Sequence, residues 1–376
     1  MIITNIEVDG LPRHDTPIRA KLNTDLNIVT GRNGAGKTTL LKLLWYIISG
    51  NIEHAVREVP FTRAHVATDR YSITVMKSAS SDVRIEFHKD GVKTLFEDEF
   101  DEDLFETISA VGRANEAVKD FGSSLFFPTF RRIEGGFSVG EGTSFGLRLS
   151  GRAKNEIEDA MLSLSRKLTV EKHSFVASIS TVDIVNLLMR HYTEMSEASN
   201  ELQRNTSHQI IDRIKNYKED SSFEFVGKSQ ADKVIDNIKC MIEAMDDRRA
   251  KILAPLDAIK NLAEKLFQHS GIKLGARLSF GDAATAVSSD KLSAGEKQML
   301  SFICYNAFYN NSVIFIDEPE LSLHVDWQRQ LFPTLRGQET SNQFIVATHS
   351  PFIYSKYPDK EILMSADRGA EGNEID

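Results

Sequence analysis

The stretch GRNGAGKT, at residues 31–38, decides the fold of this chain because it has the spacing G-x-x-x-x-G-K-T. Residues 26–30 before it form an apolar run that predicts a short buried strand, and residues 39–48 after it predict a mostly apolar helix. A strand, a glycine-rich loop and a helix in this order predict a phosphate-binding unit. The alternative, a glycine-rich turn that binds nothing, leaves the agreement between the loop and both flanking elements unexplained.

The residue types in this loop suit a nucleoside triphosphate. Glycines let backbone N–H groups come close to phosphate oxygens, and a helix N-terminus adds the positive end of its dipole. Lys37 is predicted to reach the β- and γ-phosphates of ATP and to serve catalysis, and the Thr38 hydroxyl is predicted to ligate Mg²⁺. The predicted nucleotide-binding residues of the loop are Asn33, Gly34, Ala35, Gly36, Lys37, Thr38 and Thr39.

The composition is that of a soluble globular protein, with 41% hydrophobic and 26% charged residues among 376. No apolar run approaches the ~20 residues of a membrane span, and no basic leader precedes the first strand pattern, so we predict a cytoplasmic protein without a membrane partner. The net charge of −9 argues against nucleic-acid binding over the whole surface, while a local basic groove stays open. Cys240 and Cys304 are predicted to be small core residues in a reducing compartment.

The first half of the chain carries the alternating patterns of strands. Alternation predicts one strand over residues 2–9 and two more over residues 18–30. Residues 71–76 and 83–88 predict an antiparallel meander attached to the nucleotide core, and an Asp-Gly pair at residues 90–91 predicts a further turn. The sequence therefore predicts an antiparallel sheet beside the phosphate loop.

Two stretches of this region leave alternatives open. Residues 97–103 are strongly acidic, which indicates a solvated face or a helix start, or, in a sharper interpretation, a patch that docks a partner. The stretch FFPTFRRIEGG, at residues 126–136, breaks a buried strand at Pro128 and then enters a glycine-rich loop. That loop is either a strand end with exposed charges or a segment that senses the γ-phosphate through Arg131, Arg132 and Glu134.

Residues 151–274 predict a helical insertion. The tetrad at residues 180–183 indicates a capping box at the start of a helix. Apolar residues from Val234 to Leu266 then fall on a three–four spacing, which is interrupted at Arg248 and Pro255. We expect a helical hairpin, kinked near Pro255, whose apolar stripe serves internal packing.

The last third of the chain returns to strands and helices in alternation. Residues 276–280 predict a strand, and residues 292–298 open a helix. Residues 313–316 and 344–348 are apolar runs that predict buried central strands. In an open parallel sheet, ligands bind at the carboxyl ends of such strands.

Three polar residues follow these two buried strands. Asp317 is predicted to hold Mg²⁺, usually through water, and Glu318 is predicted to act as the general base that activates the attacking water. His349 is a candidate for contacting the γ-phosphate or the water, although a histidine alone is more often structural. Lys37, Glu318 and His349 are therefore the predicted catalytic residues, and Thr38 and Asp317 the predicted metal ligands.

These motifs resemble those of ABC-type ATPases. LSAGE at residues 292–296 resembles the family signature, DEP at residues 317–319 resembles the end of its Walker B motif, and ELSLH at residues 320–324 resembles its D-loop. His349 resembles its switch histidine. The resemblance implies ATP hydrolysis with Mg²⁺ by two nucleotide domains that face each other head to tail. It also implies that Ser293 and Gly295 bind the γ-phosphate held by the other copy.

The helical insertion and several short motifs indicate which branch of the ABC-type ATPases the chain resembles. A helix-rich insertion resembles the SMC, RecF-like and OLD-type ATPases. IDEPELSLH at 316–324, DWQ at 326–328 and ATHSP at 347–351 resemble OLD-type ATPases of bacterial phage-defence systems, including those of retron, Septu and PARIS type. This implies an ATP-dependent dimer, or a larger oligomer, that acts as a sensor or scaffold for a separate effector such as a nuclease or toxin. The alternatives are a DNA-repair ATPase that clamps nucleic acid and a transporter motor subunit.

The chain departs from the family pattern at the Q-loop. Residues 120–140 contain no glutamine, so the Q-loop glutamine of the family has no counterpart, and Arg131 or Glu134 are the candidate replacements. The predicted fold class is α/β. It is an ABC-type P-loop domain with an antiparallel meander, formed from residues 1–150 and 275–376 and interrupted by the helical insertion.

Overall fold

The structure, a computed structural model, describes residues 1–78, 83–101, 106–129, 132–133, 160–161, 163–179, 181–220, 228–267 and 293–365. The chain divides into two compact units, of which the first comprises Met1–Thr181 with Leu292–Asp376 and the second comprises Val182–Lys291. The predicted domain boundaries, after residues 150 and 274, lie outside the described residues, as does the strand predicted at 276–280.

The described residues form strands and helices, numbered in chain order. The strands are β1 Ile3–Asp9, β2 Ile18–Lys21, β3 Leu26–Thr30, β4 Arg63–Thr68, β5 Ser72–Lys77, β6 Val83–Lys89, β7 Val92–Phe96, β8 Glu99–Asp101, β9 Glu106–Ile108, β10 Ser124–Phe127, β11 Arg132–Ile133, β12 His173–Phe175, β13 Ser178–Ile179, β14 Val313–Asp317, β15 Gln343–Ala347 and β16 Glu361–Leu363. The helices are α1 Lys37–Ile48, α2 Ile52–Glu58, α3 Ala110–Val118, α4 Thr181–Asp220, α5 Lys228–Phe267, α6 Ala294–Phe308, α7 Val325–Arg336 and α8 Pro351–Tyr354.

A parallel sheet forms the centre of the first unit, with the strand order β12-β10-β14-β15-β3-β16. Every residue of β3, β14 and β15 is buried, as expected for apolar strands covered on both faces. The register pairs Asp317 with Ala347 and Ala347 with Val29. Because these strands run in the same direction, their carboxyl ends meet at one edge, and the phosphate loop leaves β3 at that edge.

An antiparallel sheet forms the second layer of the unit, with the order β2-β1-β4-β5-β6-β7. The β6–β7 hairpin turns at Asp90 and Gly91, whose φ values of 51° and 78° are those of a type I′ turn. The predicted meander is therefore confirmed. Helix α1 contacts β4 of this sheet and β14 and β15 of the parallel sheet, which explains why the helix is apolar on most faces.

Part of the acidic run at residues 97–103 is a strand, because β8 pairs antiparallel with β9. This described part does not start a helix, and the exposed Glu97 and Asp98 fit the alternative of a solvated face. The Oδ1 atom of Asp98 accepts a hydrogen bond from the backbone N–H of Ala110 at 2.7 Å, and Ala110 begins α3. One carboxylate of the run therefore serves a helix N-terminus from outside the helix.

Helices α4 and α5 are each 40 residues long and belong to the second unit. The exception is Thr181, the first residue of α4, which belongs to the first unit. The predicted apolar stripe is half-buried at each position whose burial is described, namely Val234, Ile238, Met241, Met245 and Ile252. The positions between Val234 and Met245 that lie off the stripe are exposed. Helix α5 runs through Pro255 without a break in its helical assignment. Ser180 of the predicted capping box lies outside the described residues.

The two cysteines differ in their surroundings. Cys304 is buried in α6, and burial raises the pKa of its thiol to about 12. Cys240 is exposed on α5, so its predicted place in a core is wrong. Of the helices that the structure describes, none combines the length and the apolar character that crossing a bilayer requires.

Candidate active site

The phosphate loop joins β3 to α1 at the carboxyl edge of the parallel sheet. Gly34 and Gly36 have φ values of 79° and 83°, in the left-handed region that glycine adopts without strain. Gly36 is also the residue before α1, and the first turn of α1 carries no acidic side chain. The positive end of this helix is therefore open to an anion. Asn33 and Gly34 are exposed, Ala35 is buried, and Thr39 is half-buried.

Lys37 is buried within this loop, with only 5% of its surface exposed. Its Nζ donates hydrogen bonds to the backbone oxygens of Gly31 at 3.0 Å and Arg32 at 3.2 Å. The same Nζ lies 2.6 Å from Nε2 of His349. Burial lowers the pKa of Lys37, and the carboxylate of Glu318 opposes that change most strongly. Lys37 thus holds an ammonium group at the loop, where phosphate oxygens can replace the carbonyl partners.

Asp317 ends β14 and is fully buried. Its Oδ1 accepts a hydrogen bond from the Thr38 hydroxyl at 3.0 Å, and its Oδ2 accepts one from the Thr129 hydroxyl. A carboxylate flanked by hydroxyls is a set of hard oxygen donors, which fits Mg²⁺. Within the described part of the chain, no group of three or more His, Cys, Asp or Glu residues is arranged to hold a metal ion.

Glu318 and His349 follow the two central strands and lie close to each other. Glu318 has a φ of 47°, which is uncommon for a residue with a side chain, and its backbone N–H donates to the carbonyl of Ala347 at 2.8 Å. Its Oε1 lies 4.0 Å from Nε2 of His349. Burial lowers the pKa of His349 and the ammonium of Lys37 lowers it further, so the imidazole is neutral at neutral pH. The structure thus brings the predicted catalytic residues together.

Two residues that hold the His349 segment were not predicted as site residues. Glu320 accepts hydrogen bonds from the backbone N–H of His349 at 2.6 Å and from the hydroxyl of Thr348 at 2.8 Å. Gln328 accepts a hydrogen bond from the hydroxyl of Ser350 at 2.6 Å. Both residues lie in stretches that the sequence analysis used only for their resemblance, so their position in those motifs was the available signal.

The loop between β1 and β2 also reaches the phosphate loop. Arg13 donates a hydrogen bond from Nη1 to the carbonyl of Gly34 at 3.2 Å, and Nε2 of His14 lies 2.8 Å from the carbonyl of Ala35. A Cβ atom at Gly34 would lie 2.4 Å from the same Arg13 nitrogen. Nothing in the sequence pattern pointed to these residues, because the contact depends on how β1 and β2 lie beside β3.

The signature residues are placed at the start of α6. Ser293 caps this helix in a capping box with Glu296, which confirms the predicted helix start. A Cβ atom at Gly295 would lie 2.4 Å from the backbone oxygen of Ser322, in the segment that follows β14. This close approach gives Gly295 a packing reason to be glycine. Of the residues considered as replacements for the Q-loop glutamine, Arg131 and Glu134 lie outside the described residues.

Comparisons with known proteins identify a family and two curated relatives of this chain. The family described as "AAA domain, putative AbiEii toxin, Type IV TA system" matches residues 26–355. The chain is 25% identical over 170 residues to the Retron Vc95 probable ATPase of Vibrio cholerae, covering 41% of this chain and 28% of the relative. It is 35% identical over 76 residues to the Retron Ec83 probable ATPase of Escherichia coli, covering 17% of this chain and 14% of the relative.

A solved structure is similar over most of the chain. It is the Smc head domain with an extended coiled coil, bound to the C-terminal domain of ScpA, from Pyrococcus furiosus. The two chains are 14% identical with a TM-score of 0.37, and the match covers 94% of this chain and 91% of the other. The similarity to the two retron ATPases and the family match confirm the predicted resemblance to the ABC- and AAA-type ATPases of this group. The matches span less than a third of the length of either retron relative.

Proposed function

Because the chain belongs to this AAA-domain family, we propose that it binds ATP with Mg²⁺ and hydrolyses it at the carboxyl edge of the parallel sheet. The observation that supports this most is the meeting of Lys37, Thr38, Asp317, Glu318 and His349, which come from three separate parts of the sequence. A phosphate-binding loop, a metal-binding carboxylate and a general base at one edge are the components that phosphoryl transfer to water requires.

Each of these residues has a distinct role in the proposed reaction. The ammonium of Lys37 and the N-terminus of α1 bind the phosphates, and Thr38 and Asp317 hold the metal. A Mg²⁺ ion held by these two residues would supply positive charge to the phosphate oxygens. Glu318 takes the proton of the attacking water, which contributes typically about 10²–10⁴-fold to a rate. His349, which is neutral, donates or accepts one hydrogen bond at the γ-phosphate or the water.

In the proposed dimer, the signature residues of one copy complete the ATP-binding site of the other copy. Ser293 is exposed at the N-terminus of α6, a helix of 15 residues whose first turn also carries Glu296, so it is the Ser293 hydroxyl that can donate to an anion held by another copy. Two large apolar side chains near the site are also exposed, Leu321 to 44% and Phe352 to 36%. The resemblance to ABC-type ATPases supports the head-to-tail arrangement, and ATP then stabilises the dimer by mass action.

The dimer serves as a sensor or scaffold for a separate effector in anti-phage defence. The support is the phage-defence character of the motifs at residues 316–328 and the similarity to two retron ATPases. Co-purification with a nuclease or toxin encoded beside the gene tests this role. Salt-dependent binding of the purified chain to DNA, without such a partner, would favour the DNA-repair alternative instead.

The dimer is tested by cross-linking two variants that each carry one exposed cysteine in addition to the buried Cys304. Asp15→Cys, beside the residues that contact the phosphate loop, is mixed with Leu321→Cys, and both carry Cys240→Ser because Cys240 is exposed. Both also carry Glu318→Gln, which removes the general base and leaves Thr38 and Asp317 in place. We expect ATP with Mg²⁺ to raise the yield of the mixed dimer well above the yields with ADP or without nucleotide.

Ser293→Arg is the matched variant that should disrupt the dimer, because a bulky side chain would then occupy the position of the facing phosphate. It should return the ATP yield to the ADP level while ATP binding to the single chain persists. Equal cross-linking with ATP, ADP and no nucleotide would show that closure is not gated by ATP. A folded wild-type chain that neither binds nor hydrolyses ATP would overturn the whole proposal.

A further inference from the structure

Strand β10 delivers a threonine to the metal-binding carboxylate. Parallel pairing joins β10 to β14 from Ser124 with Val313 to Phe127 with Ile316. Pro128 follows at the edge, and it has no N–H to extend the ladder, so the chain leaves the sheet there. Thr129 is the next residue, and its hydroxyl donates to Oδ2 of Asp317. The end of β10 thus places a hydroxyl on the carboxylate that ends the neighbouring strand.

The two oxygens of Asp317 are held in the same manner. Thr38 donates to Oδ1 from the start of α1, and Thr129 donates to Oδ2 from the end of β10. Asp317 is fully buried and Thr129 is half-buried, so the pair is sheltered from solvent on the side of β10. A buried carboxylate with a threonine hydroxyl on each oxygen gives three groups with hard oxygen atoms in direct contact.

We propose that the Thr129 hydroxyl oxygen is a ligand of the nucleotide-bound Mg²⁺, a second threonine ligand beside Thr38. This inference rests on the proposed ATP site. A hydroxyl carries one donor and two acceptor lone pairs, so Thr129 can donate to Asp317 while a lone pair faces the cation. Mg²⁺ prefers neutral and anionic oxygens of this kind. Thr129 thereby takes the place of the Q-loop glutamine, which has no counterpart in residues 120–140.

If Thr129 had only a structural role, its variants would bind metal ions differently from those of a metal ligand. A threonine that only orients Asp317 would tolerate replacement by any residue that keeps the carboxylate in place. A ligand must present its own donor atom, so the identity of that atom sets which metal is preferred. Hard oxygen selects Mg²⁺ and Mn²⁺, whereas thiolate sulfur selects softer ions such as Cd²⁺. The choice of metal by a cysteine variant therefore separates the two roles.

The experiment measures metal and nucleotide affinity separately in the full chain. Mn²⁺ affinity is followed by electron paramagnetic resonance of the free ion, in the presence of a non-hydrolysable ATP analogue. Affinity for a fluorescent form of the analogue is measured in EDTA. The variants are Thr129→Val, which removes the hydroxyl at nearly constant shape, Thr129→Ser, which keeps it, and Thr38→Val as the reference. Thr129→Cys in a Cys240→Ser background is titrated with Cd²⁺ and Mn²⁺.

We expect Thr129→Val to weaken Mn²⁺ binding by about 10-fold or more, as changes around a metal typically do. Nucleotide affinity in EDTA should stay within about twofold of wild type, and Thr129→Ser should bind Mn²⁺ nearly as wild type does. Thr129→Cys should bind Cd²⁺ more tightly than wild type does and Mn²⁺ more weakly, which keeps the proposal testable even if the valine variant fails to fold.

Two results would overturn the assignment of Thr129 and leave the ATP site intact. One is a Thr129→Val variant with wild-type Mn²⁺ affinity while Thr38→Val is impaired. The other is a Thr129→Cys variant that shows no gain in Cd²⁺ affinity. If neither threonine affects metal binding, or if the wild type does not bind the analogue, the proposed ATP site itself fails.

Discussion

Glu320 holds His349 in place, because one carboxylate oxygen accepts a hydrogen bond from the backbone N–H of His349 at 2.6 Å. The other oxygen accepts one from the hydroxyl of Thr348 at 2.8 Å. Glu320 follows β14 by three residues, and His349 follows β15 by two. A single side chain therefore fixes the end of the neighbouring strand, and with it the imidazole that faces Lys37 and Glu318.

Glu320→Gln should impair turnover without impairing ATP binding. The amide keeps one acceptor oxygen, so one of the two hydrogen bonds is lost and the His349 segment is less well oriented. We expect kcat to fall by about 10-fold and KM for ATP to stay within about twofold, since the phosphate loop is untouched. Thr348→Val is the comparison variant, because it keeps the bond from the backbone N–H of His349 to Glu320 and removes the hydroxyl, which donates to Glu320 and accepts from the N–H of Ser350. A change in KM with constant kcat would contradict a positioning role.

Lys37→Met should remove most of the affinity for ATP. The substitution keeps the aliphatic stem and removes the ammonium, which is the charged partner of the β- and γ-phosphates. Hydrogen bonds to charged groups contribute about 1.5–3 kcal/mol, so we expect affinity to fall on the order of 100-fold. Calorimetry measures it. Lys21→Met removes an exposed ammonium at the end of β2 and should leave the affinity unchanged. Normal binding by a folded Lys37→Met protein would rule out the assignment.

Gly295→Ala tests why the signature contains glycine at that position. A Cβ atom there would lie 2.4 Å from the backbone oxygen of Ser322, so either α6 or the segment after β14 must shift. Overpacking of this kind costs about 1–3 kcal/mol. We expect a lower midpoint in urea unfolding for Gly295→Ala. Ser293→Ala should lose only the stability that its helix cap contributes, about 1 kcal/mol. Wild-type stability of Gly295→Ala would rule out this close approach as the reason for a glycine at position 295.

The sequence predicted the site residues that lie within consecutive motifs. Lys37 and Thr38 follow a glycine-rich loop, and Asp317 and Glu318 follow a buried apolar run, so short-range patterns were sufficient. Thr129 was missed because its partner lies 188 residues away, and only the register of β10 beside β14 brings them together. No periodicity within β10 carries that information.

Cys240 shows a different kind of error. It lies between Ile238 and Met241 of the apolar stripe on α5, yet it is exposed. At about 100° per residue, position 240 lies about 200° from position 238, on the opposite face of the helix. The helical spacing that predicted the stripe also excludes Cys240 from it, so neighbours in sequence were a poor guide to neighbours in space.

The final prediction concerns a buried polar chain in the core beneath α1. Trp45 Nε1 donates to the hydroxyl of Ser124 at 3.1 Å, and that hydroxyl lies 2.8 Å from Nδ1 of His173. His173 is fully buried, and burial lowers the pKa of its imidazole to about 4. Protonation of His173 would place an uncompensated charge in the core.

This low pKa makes stability depend on pH in a defined window. The unfolded chain binds the proton with a pKa near 6.5 and the folded chain with one near 4, so the unfolded state holds more protons between those values. The contribution of His173 to the free energy of unfolding is present in full above pH 6.5. It falls by ~1.4 kcal/mol per pH unit on acidification, so the loss reaches about 3 kcal/mol at pH 4. His173→Gln should therefore lose less stability than wild type between pH 7 and pH 5.

Denaturant unfolding followed by the fluorescence of Trp45 measures this difference. Its ring lies 5.5 Å from that of Phe175, the last residue of β12, so its emission reports on this part of the core. Trp327→Phe in both proteins removes the second tryptophan. The glutamine variant corrects for the carboxylates that also titrate, because they are unchanged between the two proteins. The same loss of stability in both proteins from pH 7 to pH 5 would show that His173 titrates alike in the folded and unfolded chains.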